Sequence, residues 1–64
     1  MKELLLRGET LEFTNDKEDS ILVWFSKKSK NFCLELNAKV IKSTNTFKPI
    51  EKRLMGFREL IEVV

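Results

Sequence analysis

Trp24 is the only tryptophan in a chain of 64 residues, and Lys27, Lys28 and Lys30 follow it within six positions. An aromatic ring beside a run of ammonium groups is the residue set of a nucleic-acid contact. The ring stacks on bases or wedges between them, and the lysines meet phosphate. Lys39 and Lys42 carry the basic character further along the chain. Most of the basic residues are lysines rather than arginines, which suits point contacts to phosphate better than two-pronged reading of base edges. The stretch "KKSK" is also what an ordinary solvated turn looks like, and surface charge accounts for it without any partner.

Other chemistries fare worse. There is no histidine, so the chain has no ordinary general base near neutral pH and no Ser-His or Cys-His pair. No Asp or Glu falls at a position the apolar pattern assigns to the core, so none is placed to act as a buried, pKa-raised acid. "RGET" holds a single glycine and is not a phosphate-cradling loop. An enzyme is therefore not expected. A zinc site would lack ligands, since Cys33 is the only thiol. "NDKED" (residues 15–19) gathers three acidic residues, but it lacks the spacing and the glycine of a dedicated calcium loop and reads as a solvated turn. Neither a metal nor an organic cofactor is expected. Cys33 itself reads as a small apolar residue.

Size and charge narrow the class further. Residues 1–64 make one small domain, and a chain of this length buries only about 60% of the surface it exposes when unfolded. With one cysteine and no zinc ligand set, self-association is the stabilising device left, so a homo-oligomer is expected. The longest apolar run is far short of the roughly 18 residues that span a bilayer, and "MKELLLRGETLEF" is not a signal peptide. The expectation is a complete cytoplasmic protein with a reduced thiol. Charge is uneven. Three positive and six negative residues lie within 1–20, nine positive and two negative within 21–58, and Glu59 and Glu62 close the chain. A basic middle hints at a polyanion or an acidic protein as partner.

The elements that must position these residues follow from apolar periodicity. In "LLLRGETLEFT", Leu4 and Leu6 differ in parity from Leu11 and Phe13. A one-residue bulge at Gly8 puts all four on one face of a single strand. "NDKED" is a turn. A second strand runs from Ser20 to Lys27, with Ile21, Val23 and Phe25 facing one way and Leu22, Trp24 and Ser26 the other. After "KKSKN", strict alternation from Phe32 predicts a third strand as far as Ile41, with Phe32, Leu34, Leu36 and Val40 inward. A tight turn at Asn37-Ala38, giving a short fourth strand, competes with it. From Phe47 the period changes. Phe47, Ile50, Leu54, Phe57, Ile61 and Val64 share one stripe of a helix capped by Thr46, with Pro49 in its first turn and Gly56 in its middle. Glu59 and Glu62 oppose the dipole of such a helix.

The expected fold is α+β. A three-stranded antiparallel meander, with a possible short fourth strand, has one C-terminal helix packed on one face (β-β-β-α). The plan is similar to that of plant AP2-type DNA-binding domains and of the arm-binding domains of phage and transposon integrases, but no motif of either stands here. The uncovered face shows Arg7, Thr10, Glu12, Glu35, Asn37 and Lys39 around an apolar patch of Leu22, Trp24, Cys33 and Ile41. The leading expectation is a small non-enzymatic protein that binds nucleic acid through this face and its basic hairpin. The alternative is a protein-binding regulator or inhibitor, of the kind phage and mobile elements carry, acting through the apolar patch or as a homodimer.

Overall fold

The first helix lies where alternation predicts a strand. The computed structural model describes residues 2–15 and 17–57, together with the backbone of residues 61–62. Its first element, α1, spans Lys2–Leu6. The Arg7 N–H donates to the Glu3 carbonyl at 3.1 Å, Gly8 to Leu5 at 3.0 Å and Glu9 to Leu4 at 3.1 Å. The last two bonds are the paired closure of a Schellman helix end, which needs a left-handed residue. Gly8 supplies it at φ +96°. Gly8 is thus a helix exit and not a strand bulge. The consequence is a change of face: Leu5 is 0% exposed, Leu6 is 45% exposed and Leu4 is partly buried. Three consecutive leucines satisfy either period, so the pattern alone could not choose.

Among the described residues five strands follow: β1 (Leu11–Thr14), β2 (Ser20–Ser26), β3 (Asn31–Leu36), β4 (Lys39–Thr44) and β5 (Ile61–Glu62). They form one antiparallel sheet in the order β4-β3-β2-β1-β5. The fold is α+β, a meander with a C-terminal helix, and the fourth strand is present. Asn37 at φ +50° and Ala38 at φ +71° make the two-residue turn between β3 and β4. Two positive φ angles in succession are the signature of the mirror-image turn whose twist suits a hairpin.

That turn reverses the parity expected beyond residue 36. Leu36 now pairs with Lys39 and Glu35 with Val40. Val40 therefore joins the outer face and is 49% exposed, although continuous alternation places it in the core. Ile41 moves the other way and packs against the core, and Lys39 shares the core-side row with Leu36. A register shift at Leu34/Glu35 then accommodates one extra residue on β4, so that Leu34 pairs with Lys42 and Cys33 with Ser43.

The helix α2 spans Lys48–Met55, with Pro49 in its first turn. Phe47 occupies the cap position with no side-chain cap bond, so Thr46 is not the cap; its carbonyl accepts the Thr44 hydroxyl instead. Gly56 ends the helix rather than sitting inside it, and its N–H donates to Arg53 at 3.1 Å. Ile61, expected on the helix stripe, belongs by its backbone to β5 beside Thr14. Val64 lies outside the described residues. Glu62, expected to oppose the helix dipole, belongs by its backbone to β5, and Glu59 lies outside the described residues.

One core unites these parts. Leu5 from α1, Leu11 and Phe13 from β1, Ile21 and Val23 from β2, Phe32 and Leu34 from β3, and Ile50 and Leu54 from α2 are all buried in one cluster with Phe47. Phe32 stands between Phe25 and Phe47, with ring centroids at 4.8 Å and 5.5 Å. Each such side chain stabilises the fold by about 1.5–3 kcal/mol through burial. Both helices pack on the same face of the sheet, α1 against β2 and α2 against β3 and β4. The other face carries no helix among the described residues.

Candidate functional site

The outer face is built by the parity of β2 and β3. Ile21, Val23, Leu34 and Phe32 point into the core, which turns Leu22, Trp24, Cys33 and Glu35 outward. Register sets their neighbours: Trp24 pairs with Cys33, and Leu22 pairs with Glu35 on one side and Glu12 on the other. Trp24 and Glu35 are therefore diagonal neighbours, within reach of a long side chain. The Trp24 indole N–H donates to Glu35 Oε2 at 2.5 Å. The ring is half-buried and its one polar atom is satisfied within the chain.

Cys33 lies in the same row and is only 6% exposed. Its Sγ is 3.9 Å from the Asn31 carbonyl and 3.7 Å from Ser43 Oγ. No cation stands among these partners. A buried thiol so placed is apolar filler rather than a nucleophile. The apolar patch is thus Leu22, Trp24 and Val40 at the surface with Cys33 beneath, and Ile41 does not belong to it.

The lysines do not gather beside Trp24. Lys27, Lys28 and Lys30 are exposed in the turn between β2 and β3. That turn folds back on Ser26, whose Oγ accepts the Ser29 N–H at 3.3 Å. Lys39 sits at the opposite end of the sheet, beside the β3–β4 turn. The six residues of β3 separate the two turns by roughly 20 Å at about 3.3 Å per residue. Lys42 is midway along β4, an edge strand. Lysines on an edge strand discourage pairing with other chains, which accounts for Lys39 and Lys42 without any ligand. Among the described residues the one ion pair is Arg7–Glu9 at 2.9 Å, so none of these lysines is neutralised there.

The acidic turn has a structural task. Asn15 Oδ1 accepts the backbone N–H groups of Lys17 and Asp19 at 2.9 and 3.0 Å, closing the turn on itself. Asp19 then receives Asn15 Nδ2 and Asn37 Nδ2, both at 3.0 Å. Asn37 also accepts the Ser20 N–H at 2.9 Å through Oδ1 and donates its own N–H to the Ser20 carbonyl at 2.8 Å. Two turns at one end of the sheet are thereby tied together. The amide of Asn37, then that of Asn15, hold the Asp19 carboxyl below the ordinary aspartate value; Lys17 adds to this and slight desolvation opposes it. Among the described residues, no group of three or more Asp, Glu, Cys or His is placed to hold a metal ion.

Sequence reasoning finds Trp24, Leu22, Cys33 and Glu35 on this face but not the Trp24–Glu35 bond. The signal for it is their diagonal offset once the β2–β3 register is known. Val40 is missed because its parity depends on the Asn37-Ala38 turn. No helix among the described residues is long and apolar enough to cross a membrane. Comparison with known proteins finds no matching family model, no significantly similar curated protein and no significantly similar solved structure.

Proposed function

We propose that this chain is a non-enzymatic protein-binding module whose outer sheet face is the docking surface. One observation carries the reading. Trp24 stands on the face that no described helix covers, with its indole N–H already taken by Glu35. A ring held this way offers apolar area without an unsatisfied donor and surrenders little side-chain freedom on binding. Tryptophan in such a setting is a frequent binding hot spot. Leu22 on the same strand and the exposed Val40 on β4 extend the apolar area. Glu12 and Glu35 on the same face work against a phosphate backbone.

A second reading has one observation in its favour. Lys27, Lys28 and Lys30 crowd one exposed turn and pair with no acid among the described residues. Nucleic acid bound there loses affinity steeply with salt, and alanine at the three lysines weakens it.

The test of the leading reading is site-specific photo-crosslinking in cells. A photo-reactive residue at Val40 or Glu12 samples the outer face, and one at the exposed Met55 samples the helix side. Protein adducts from the first two positions, lost on Trp24→Ala, support the docking surface. Equal adducts from all three positions, or adducts indifferent to Trp24→Ala, refute it.

A further inference from the structure

Resting on that reading, we infer that the protein seated on the outer face is a second copy of this chain. The copies stack face to face with their strands reversed, about a two-fold axis that lies between the faces and runs across the strands near Trp24. The order of charge along the sheet favours this arrangement. The row of Leu22 carries Glu12 and Glu35, and beyond it lie Glu18 and Asp19. In the other direction, three residues past Trp24, come Lys27, Lys28 and Lys30. The face therefore reads acidic, apolar, basic from one turn to the other. Lys17 and Lys39 stand at the acidic end too, but Lys39 falls in the core-side row.

An isologous dimer must lay this surface on itself about an axis between the two faces, and an axis along the strands and an axis across them are the limiting orientations. An axis along the strands sets the lysine turn of one copy on the lysine turn of the other. An axis across the strands sets it over Glu35 and the acidic turn, and keeps Trp24 opposite Trp24. Like charges in juxtaposition cost several kcal/mol, so charge selects the second orientation. The contact covers the Trp24, Leu22 and Val40 patch that the helices leave open. At a few hundred Å² per copy the interface falls at the low end of specific contacts, the range of reversible association. A chain this small, with a single cysteine and so no internal disulfide, gains stability from such pairing.

Sedimentation equilibrium of the full chain tests the inference. The parent chain shows a monomer–dimer equilibrium that weakens as salt rises. Reversing the basic end (Lys27→Glu, Lys28→Glu, Lys30→Glu) or the acidic end (Glu12→Lys, Glu18→Lys) weakens self-association at least tenfold. All five positions are exposed, and circular dichroism confirms that each variant is folded. An equimolar mixture of the two variants restores a dimer of parental affinity, because both ends of the heterodimer are then complementary. A parent chain that stays monomeric at every concentration overturns the inference, as does a mixture no tighter than its components. If that monomer still yields Trp24-dependent adducts with other proteins from position 40, the docking surface stands and only the second copy falls. If it yields none, both fall.

Discussion

Replacing Ala38 with glycine probes the element on which the outer face depends. Ala38 is exposed and sits at φ +71°, in the second position of the β3–β4 turn. A residue with a Cβ in the left-handed region carries a penalty of about 1–2 kcal/mol. Glycine removes that penalty but loses more freedom on folding, by roughly 0.5–1 kcal/mol. The net expectation is that Ala38→Gly stabilises the chain by roughly 0.5–1 kcal/mol, and Asn-Gly is the preferred pair for this turn. For a domain of this size the melting temperature rises by about 2–8 °C. Urea unfolding followed by fluorescence gives the free energy directly, because Trp24 is the only tryptophan and the chain has no tyrosine. The sign is the test. Were residues 32–41 one continuous strand, glycine at its middle would destabilise by roughly 0.5–1 kcal/mol. A destabilised Ala38→Gly refutes the turn, and with it the outward placement of Val40 and the inward placement of Ile41.

Other outcomes follow from the same geometry. Leu5→Ala lowers stability by about 2–5 kcal/mol, the range for a truncated buried leucine, while Leu6→Ala changes it by less than about 0.5 kcal/mol; denaturant midpoints reverse that order if residues 4–6 are a strand. Gly8→Ala loses about 1 kcal/mol through left-handed strain alone, since nothing within 4 Å obstructs the added methyl; an unchanged midpoint contradicts the helix exit. Asp19 is held below its ordinary value of 3.8, so its contribution to stability is full above that pH and is lost as pH falls through the lower folded value. Asp19→Asn flattens the acid limb of the stability profile, and a profile identical to the parent's removes Asp19 from the turn network. Asn37→Ala breaks the tie between the two turns and costs about 1 kcal/mol by chemical denaturation; a loss no larger than that of Asn45→Ala, an exposed site without such bonds, argues against it.

The central hairpin was legible because β2 and the start of β3 alternate without interruption between a clear turn and a clear core. From Ile21 to Leu36 every inward residue falls where parity places it, and Trp24 with Leu22 falls outward. Two of the errors arise where a left-handed residue redirects the chain. Gly8 serves a bulge and a helix exit equally well by sequence, and three leucines before it fit either period. Asn37-Ala38 lacks the glycine that most often marks a two-residue turn, so the apolar alternation of the sequence runs through it unbroken. Beyond Gly56 the helical spacing of Phe57 and Ile61 persists by coincidence, while the backbone of residues 61–62 pairs with β1. The candidate site inherits this division: its β2–β3 half was readable, and its β4 border depended on a turn that only backbone geometry reveals. The lysines look continuous in sequence because both turns belong to adjacent hairpins, yet consecutive hairpin turns lie at opposite ends of a sheet.

The most direct measurement is sedimentation velocity of Trp24→Ala beside the parent chain over a wide concentration range, with circular dichroism on the same samples. A second copy seated on the Trp24 face predicts a parent chain whose sedimentation coefficient rises with concentration and a folded Trp24→Ala that remains monomeric. An unfolded Trp24→Ala would place the ring in the core, and a folded variant that associates as the parent does would remove it from the interface.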